Sequence, residues 1–258
     1  MVQSFSLSMA AVDILFEQLK LGHAPFPFEV PHLGTTHTER AQIREAVFRD
    51  LESRDLMRRG RLDADVEAAL VTFVRGRIAV SAAAKLESGE KLFARSASEQ
   101  QFAVLGKRDG NFIVFDLIRP EGLVPEIVNL IPPARPAPGQ SVTLAKPEPK
   151  PQTPRHAEPD SYDPFAGVSG PSSRASAQER AVQRMFEKPP KQLGQFMVFM
   201  QGRREQRRLD PLVWFDTENG RMFNTSRKAD DGQTWLTYAP ADNARIIQQL
   251  MSQIQPYL

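Results

Sequence analysis

The sequence predicts an α+β fold: an antiparallel β-sheet with flanking helical bundles, in two quasi-two-fold-related halves joined by a proline-rich linker. First, the order helix, four strands, helix occurs twice, at roughly Leu62–Ile131 and Ala177–Gln255, as a layout without a residue-level repeat. Second, turn signals such as Asp109-Gly110 and Asn219-Gly220 separate strands too closely for parallel crossovers. Third, a 258-residue chain with 41% hydrophobic residues can bury a substantial core.

Helix signals dominate the region before the first strands. A helix is expected after Ser8, because its apolar residues recur at helical spacing and Gly22 can end it. Two more are expected after Thr38 and after Asp63, the latter stopped by Gly76. The inward residues of the three helices are Val12, Leu15, Phe16, Leu19; Ile43, Val47, Phe48, Leu51; and Val66, Leu70, Phe73, Val74.

Eight strands follow from short apolar runs between turn residues. They are Arg77–Ala82, Lys91–Ser96, Gln101–Gly106, Asn111–Leu117, Gln195–Gln201, Leu212–Thr217, Arg221–Thr225 and Thr234–Tyr238. Short helices are expected near Leu123–Ile131 and Ala177–Phe186, and Asp242 should cap a final helix. Val142 and Leu144 could add a further strand or pack on the sheet.

Two of these strands, Phe112–Phe115 and Phe196–Met200, are apolar at every position. An antiparallel strand with one wet face should instead alternate apolar and polar residues. Both faces of both strands are therefore expected to be covered.

Proline marks the middle of the chain. The stretch from Pro132 to Pro171 holds 11 of the 21 prolines and little apolar surface to offset the cost of ordering it. The predicted division is an N-terminal half at 1–144, a disordered linker at 145–175 and a C-terminal half at 176–258 of the same domain.

Composition argues for a cytoplasmic protein without cofactor, metal or catalytic centre. The chain has no cysteine and no apolar run long enough to span a membrane, and no signal peptide is visible in its first residues. It has no phosphate-binding glycine loop, so P-loop chemistry is not expected. A metal site at His32 and His37 is weighed and set aside, since proline- and glycine-rich loops hold histidines for many reasons. Asp216 could be catalytic, but it is expected to bond backbone N–H groups of the adjacent turn.

The basic run Arg203–Arg208 raises the alternative of a nucleic-acid-binding regulator. Glu205 interrupts the run and no aromatic platform accompanies it, which favours a solvated hairpin tip. A third hypothesis is a small-molecule enzyme or ligand binder with a pocket between the halves. Trp214 and Trp235 are expected to be core residues or interface anchors.

Several segments, taken together, resemble the EspG family of type VII (ESX) secretion chaperones. The resemblance covers nearly all of the chain outside about Lys146–Arg174. The segments that carry it are VDILFEQLKLGHAPFPFEVPHLGTTHTER, RGRLDADVEAALVTFVR, PPARPAPGQSV, Gly194-Gln195-Phe196, Trp214-Phe215-Asp216-Thr217, Gly220-Arg221 and Ala239-Pro240-Ala241-Asp242.

The resemblance implies a non-enzymatic cytosolic chaperone that binds the helical tip of a PPE protein in a PE–PPE heterodimer, keeping it soluble and targeting it for export. It also implies that the sheet and the C-terminal helical region form the binding face. In this sequence the partner-binding candidates are Phe199, Trp235, Gln249 and Gln253. A monomer or weak homodimer is expected, with no membrane insertion.

Overall fold

The structure is a computed structural model that describes residues 3–145, 177–202, 206–229 and 232–257. The predicted linker, apart from Ala145, lies outside these residues. The helices are α1 (Met9–Gln18), α2 (His37–Ser53), α3 (Ala64–Arg75), α4 (Pro125–Val128), α5 (Ala177–Met185) and α6 (Asn243–Ile254). The strands are β1 (Ser4–Ser8), β2 (Met57–Arg58), β3 (Arg61–Leu62), β4 (Ile78–Lys85), β5 (Lys91–Glu99), β6 (Phe102–Asp109), β7 (Phe112–Ile118), β8 (Val142–Ala145), β9 (Gln192–Gln201), β10 (Gln206–Arg208), β11 (Leu212–Thr217), β12 (Gly220–Lys228) and β13 (Thr234–Pro240).

One 11-stranded sheet organises the described residues. Its strand order is β1-β7-β6-β5-β4-β9-β11-β12-β13-β8, and β10 pairs with the end of β9. All of these strand pairs are antiparallel, so the predicted α+β class with an antiparallel sheet is confirmed. The sheet is continuous because β4 pairs with β9 from Ile78–Met200 to Lys85–Leu193. A two-fold relation between the halves remains a prediction.

Helices cover both faces of this sheet. Helices α1, α2 and α3 pack on one face beside β4 to β7, around Leu15, Leu51 and Phe73. Helices α4 and α6 pack on the opposite face, around Ile127 and Leu250, and this face is called the α6 face below. Each face receives alternate residues of a strand, because successive side chains point to opposite sides.

The predicted helix starts are confirmed at Ser8 and Asp63, whose side chains accept backbone hydrogen bonds from Ala11 and Asp65. The start at Thr38 is wrong by two residues. The N-cap is Thr36, whose hydroxyl accepts from the Glu39 N–H while the Glu39 carboxylate accepts from the Thr36 N–H. This reciprocal pair satisfies two N–H groups that lack helical partners, so the helix begins earlier.

The eight predicted strands and the added strand at Val142–Ala145 are present, whereas β1, β2, β3 and β10 were not predicted. These four are only two to five residues long, too short for a clear periodic pattern. Strand β1 is nonetheless well anchored. It pairs with β7, and Phe5 stacks on Phe115 with ring centres 5.1 Å apart.

The prediction that both faces of the strand are covered is confirmed for β9 and wrong for β7. In β9, Met197 and Val198 point to opposite faces and both are buried. In β7, Phe112 is 47% exposed, while Ile113 and Phe115 are buried. Strand β7 lies next to the edge of the sheet, where less of the neighbouring structure covers it.

The β11–β12 turn also differs from its prediction by one residue. Glu218 and Asn219 form the turn, and Gly220 pairs with Thr217 as the first residue of β12. Gly220 has φ +131°, and a Cβ atom there would lie 2.7 Å from the Arg135 carbonyl oxygen. The glycine is therefore required by a close backbone approach as well as by its conformation.

Candidate partner-binding surface

Trp235 lies on β13 and is 40% exposed, so it is not a core residue. It pairs in register with Arg227 of β12 and with Ala145 of the edge strand β8. Trp235, Thr237 and Ala239 are alternate residues of β13, so their side chains point to the same face of the sheet. Ala239 is buried in the core beneath α6, and Trp235 therefore projects from the α6 face.

Helix α6 combines a buried apolar side with a half-buried polar flank. Its buried residues are Ile246, Leu250 and Ile254. Gln249 and Gln253 are half-buried along one flank, and the Oε1 atom of Gln253 is enclosed without a hydrogen-bond partner. Met251 lies on the other flank by helical spacing and is 41% exposed. The helix thus leaves both apolar and amide groups at its surface.

Phe199 lies on the opposite face of the sheet. It pairs with Ala79 of β4, and both side chains belong to the core beneath α1 and α3. Phe199 is partly buried there, with the guanidinium carbon of Arg95 5.1 Å from its ring centre. The four predicted residues therefore do not form one surface: Trp235, Gln249 and Gln253 belong to the α6 side, and Phe199 does not.

Arg95 explains why Phe199 is held in place. Its Nε donates to the Phe73 carbonyl in the last turn of α3 at 3.0 Å, and its Nη1 donates to Ser81 Oγ at 2.9 Å. A cation at a helix C-terminus is favoured by the helix dipole. Burial lowers the pKa of Arg95 to about 10. This side chain caps a helix beneath Phe199 and is only 1% exposed.

Arg221 is the centre of a second buried network, which joins several of the EspG-like segments. Its Nε donates to Asp216 Oδ1 at 2.7 Å, and its Nη2 donates to Asp216 Oδ2 at 2.9 Å and to the Pro132 carbonyl at 2.8 Å. Its Nη1 also donates to Asn243 Oδ1, in the first turn of α6. Gln192 donates a further hydrogen bond to Asp216 at 2.6 Å.

The expectation that Asp216 bonds backbone N–H groups of its turn is therefore wrong. The carboxylate is turned inward and forms an ion pair with the fully buried guanidinium of Arg221. The guanidinium also lies 4.6 Å above the ring of buried Trp214. This network holds the Pro132 segment and α6 against the sheet, and its carboxylate is committed to that structural role.

A third polar cluster fixes the loop between α1 and α2. Arg40 makes ion pairs with Asp13 and Glu17 of α1, and it donates to the Leu33 carbonyl at 2.7 Å. The Leu33 N–H in turn donates to Asp13 Oδ2 at 2.9 Å. Burial raises the pKa of Asp13, but the hydrogen bonds from Arg40 and Leu33 outweigh it, so the net pKa is lowered.

Two shallow clefts accompany these elements. One, of about 530 Å³, lies beside Asp13 and His32, and another of about 540 Å³ lies between α3 and Phe102. Neither is lined by residues of the C-terminal half, so neither is the pocket between halves that the third hypothesis requires. Within the described ranges no cluster of three potential metal ligands occurs. None of the helices in those ranges has the length and apolarity of a membrane span.

The basic run does not form one positive face in the part of it that the structure describes, Gln206–Arg208. Arg207 pairs with Met200 and Arg208 with Phe199, and these two residues of β9 point to opposite sides of the sheet. The first three residues of the run, 203–205, lie outside the described residues. A nucleic-acid footprint usually covers one continuous face, which this short strand does not provide.

These features define an antiparallel α+β protein whose buried polar networks are structural and whose exposed apolar groups include Trp235 and Met251. Aromatic residues and methionine are enriched at protein–protein interfaces. The chain belongs to the EspG family, whose model matches residues 8–252.

A solved structure shares the fold. It contains the Mycobacterium tuberculosis type VII secretion system chaperone EspG5 in complex with a PE25–PPE41 dimer. The two chains are 15% identical, the TM-score is 0.60, and the match covers 95% of this chain and 93% of the other. No curated protein matches this chain.

Proposed function

We propose that this protein is a cytosolic chaperone of a type VII secretion system that binds the helical tip of a PPE protein in a PE–PPE dimer. The observation that carries the proposal is the family match over residues 8–252. The fold shared with EspG5 over 95% of the chain supports it.

The chemistry of such a chaperone is binding without catalysis. A helical tip awaiting export exposes apolar side chains, and each large one forgoes about 1.5–3 kcal/mol of burial. Covering a few of them prevents self-association. Release requires a reversible interface, and an apolar centre with a polar rim is the usual composition of one. Trp235 with Gln249 and Gln253 supplies both kinds of group on the α6 side.

Co-expression with PE–PPE pairs encoded in the same genome tests the proposal. We expect one pair to co-elute with this chain at equal stoichiometry in size-exclusion chromatography, without added ATP or magnesium. The sequence has no phosphate-binding loop, so nucleotide should change nothing. Elution of the chain apart from every pair would refute the proposal.

Two matched variants test where the partner binds. Trp235→Ala should weaken binding about 30-fold, corresponding to about 2 kcal/mol, with little change in melting temperature. Phe112→Ala removes a similarly exposed aromatic ring near the far edge of the sheet and should leave affinity unchanged. Phe199→Ala should instead lower stability, because Phe199 covers buried Arg95. A Trp235→Ala protein that binds normally would refute this placement.

A further inference from the structure

We infer that Arg207 and Arg227 bind a carboxylate-bearing segment of the partner protein at the end of the sheet beside Trp235. The inference rests on the proposed function and adds the chemistry of the partner's contacting segment. Arg227 is exposed and in register with Trp235, so the two side chains leave the sheet side by side. Phe223, four residues before Arg227 on β12, is buried beneath α6, which places this pair on the α6 face.

Arg207 lies on the same face of the sheet, on β10, which pairs with β9. It pairs with Met200, which belongs to the core beneath α6. Its guanidinium carbon lies 5.5 Å from the ring centre of Tyr257, in the single helical turn that follows α6. Stacking on that ring restricts the guanidinium before any partner arrives, which reduces the entropy lost on binding.

The two arginines at this end of the sheet have no ion-pair partner among the described residues. Neither Arg207 nor Arg227 makes an ion pair there, whereas Arg40 and Arg221 are each paired with a carboxylate. Asp210, between β10 and β11, is exposed and forms no ion pair with either arginine in the described part of the chain. Two arginines without an ion pair in the described part of the chain, one of them in register with an exposed tryptophan, suit carboxylates, because Arg–carboxylate hydrogen bonds are charge-assisted.

A protein segment fits this surface better than a nucleic acid. Nucleic-acid affinity depends on many phosphate contacts along one continuous basic face. Here Arg208 and Lys228 project to the other side of the sheet, because each is adjacent in sequence to an arginine of the α6 face. Tryptophan, tyrosine and arginine are also the residue types that dominate protein–protein binding energy.

Paired charge-reversal variants test the inference. Arg207→Glu with Arg227→Glu should weaken binding of the PE–PPE dimer about tenfold or more and flatten its dependence on salt between about 50 and 300 mM. The control, Arg59→Glu with Arg61→Glu, makes the same charge change at exposed positions around the β2–β3 hairpin and should alter affinity less than about twofold. Arg207→Gln with Arg227→Gln should give an intermediate loss, and thermal melting verifies that each variant folds.

A labelled decaglutamate peptide and a single-stranded DNA ten-mer separate the outcomes. The peptide should bind the wild type weakly and lose binding in the Arg207/Arg227 variants alone. If the wild type binds a PE–PPE dimer and all variants bind it equally, this inference is overturned while the proposed function stands. If no PE–PPE pair binds the wild type, both fall. Tighter binding of the DNA than of the peptide, through the same two arginines, would overturn the inference in favour of nucleic acid.

Discussion

Asp216 and Arg221 face each other in register across the β11–β12 hairpin, with Nε and Oδ1 2.7 Å apart. The arginine side chain is fully buried and the aspartate side chain is 10% exposed. The backbone of Arg221 is also engaged, since its N–H donates to the Arg135 carbonyl at 2.9 Å and its carbonyl accepts from the Ala137 N–H at 3.0 Å. One residue thus joins the hairpin, the mid-chain proline segment and α6.

Arg221→Met should lower the free energy of unfolding by about 3–5 kcal/mol, because it leaves Asp216 buried without its charged partner. Urea unfolding at neutral pH measures this. Arg227→Met, at an exposed position of the same strand, should change stability by less than about 0.5 kcal/mol. A loss at Arg221 no larger than at Arg227 would contradict the structural role of the network.

Gly220→Ala should destabilise the protein by about 2–3 kcal/mol more than Gly232→Ala. Both glycines have positive φ, but a Cβ at Gly232 meets nothing within 4 Å, whereas one at Gly220 meets the backbone of residues 135–137. Thermal melting of the two variants gives the comparison. Equal losses of stability in the two variants would show that the positive φ, and not the close backbone approach, explains why glycine is required.

Asp13→Asn should lower stability at pH 7 and have a smaller effect in acid. The folded-state pKa of Asp13 lies below its ordinary value of 3.8. The resulting stabilisation is present above that ordinary value and is lost as the pH falls through the folded-state pKa. Urea unfolding at pH 7 and near pH 3 should show that the wild type and the Asp13→Asn variant differ less in free energy of unfolding at the lower pH. Asp55→Asn, which breaks an exposed pair with Arg58, should change stability at pH 7 by less than about 0.5 kcal/mol.

The two tryptophans should differ in solvent access. Trp214 is 0% exposed and Trp235 is 40% exposed. In the Trp235→Phe variant, the remaining fluorescence should be blue-shifted and resistant to acrylamide quenching. In the Trp214→Phe variant, it should be red-shifted and readily quenched. Equal quenching in the two variants would contradict the placement of Trp235 on the surface.

Local sequence signals predicted most of the elements because caps, turns and apolar spacing act within a few residues. Asp63 and Asp242 were identified as caps in this way, and both accept the expected backbone hydrogen bonds. Short strands such as β10 depend on a partner strand for their hydrogen bonds, so their own residues carry little signal.

The arrangement of side chains was harder to predict, since it depends on register between distant segments. Phe199 and Trp235 looked equivalent as apolar residues on strands, but strand pairing places them on opposite faces. The contacts of Arg221 with Pro132 and Asn243 span about 90 and about 20 residues of sequence, beyond any local pattern. The sequence indicates the family-like segments as a set, but it does not indicate the ion pair that joins two of them.

The pairing of β4 with β9 also bears on how the chain is made. A ribosome completes β4 long before it synthesises β9, so the nascent N-terminal half presents an unpaired strand from Ile78 to Lys85. Much of that strand is alanine and valine, and an unpaired apolar edge recruits other chains. A protein of this design therefore depends during its own synthesis on keeping that edge unoccupied until its second half arrives.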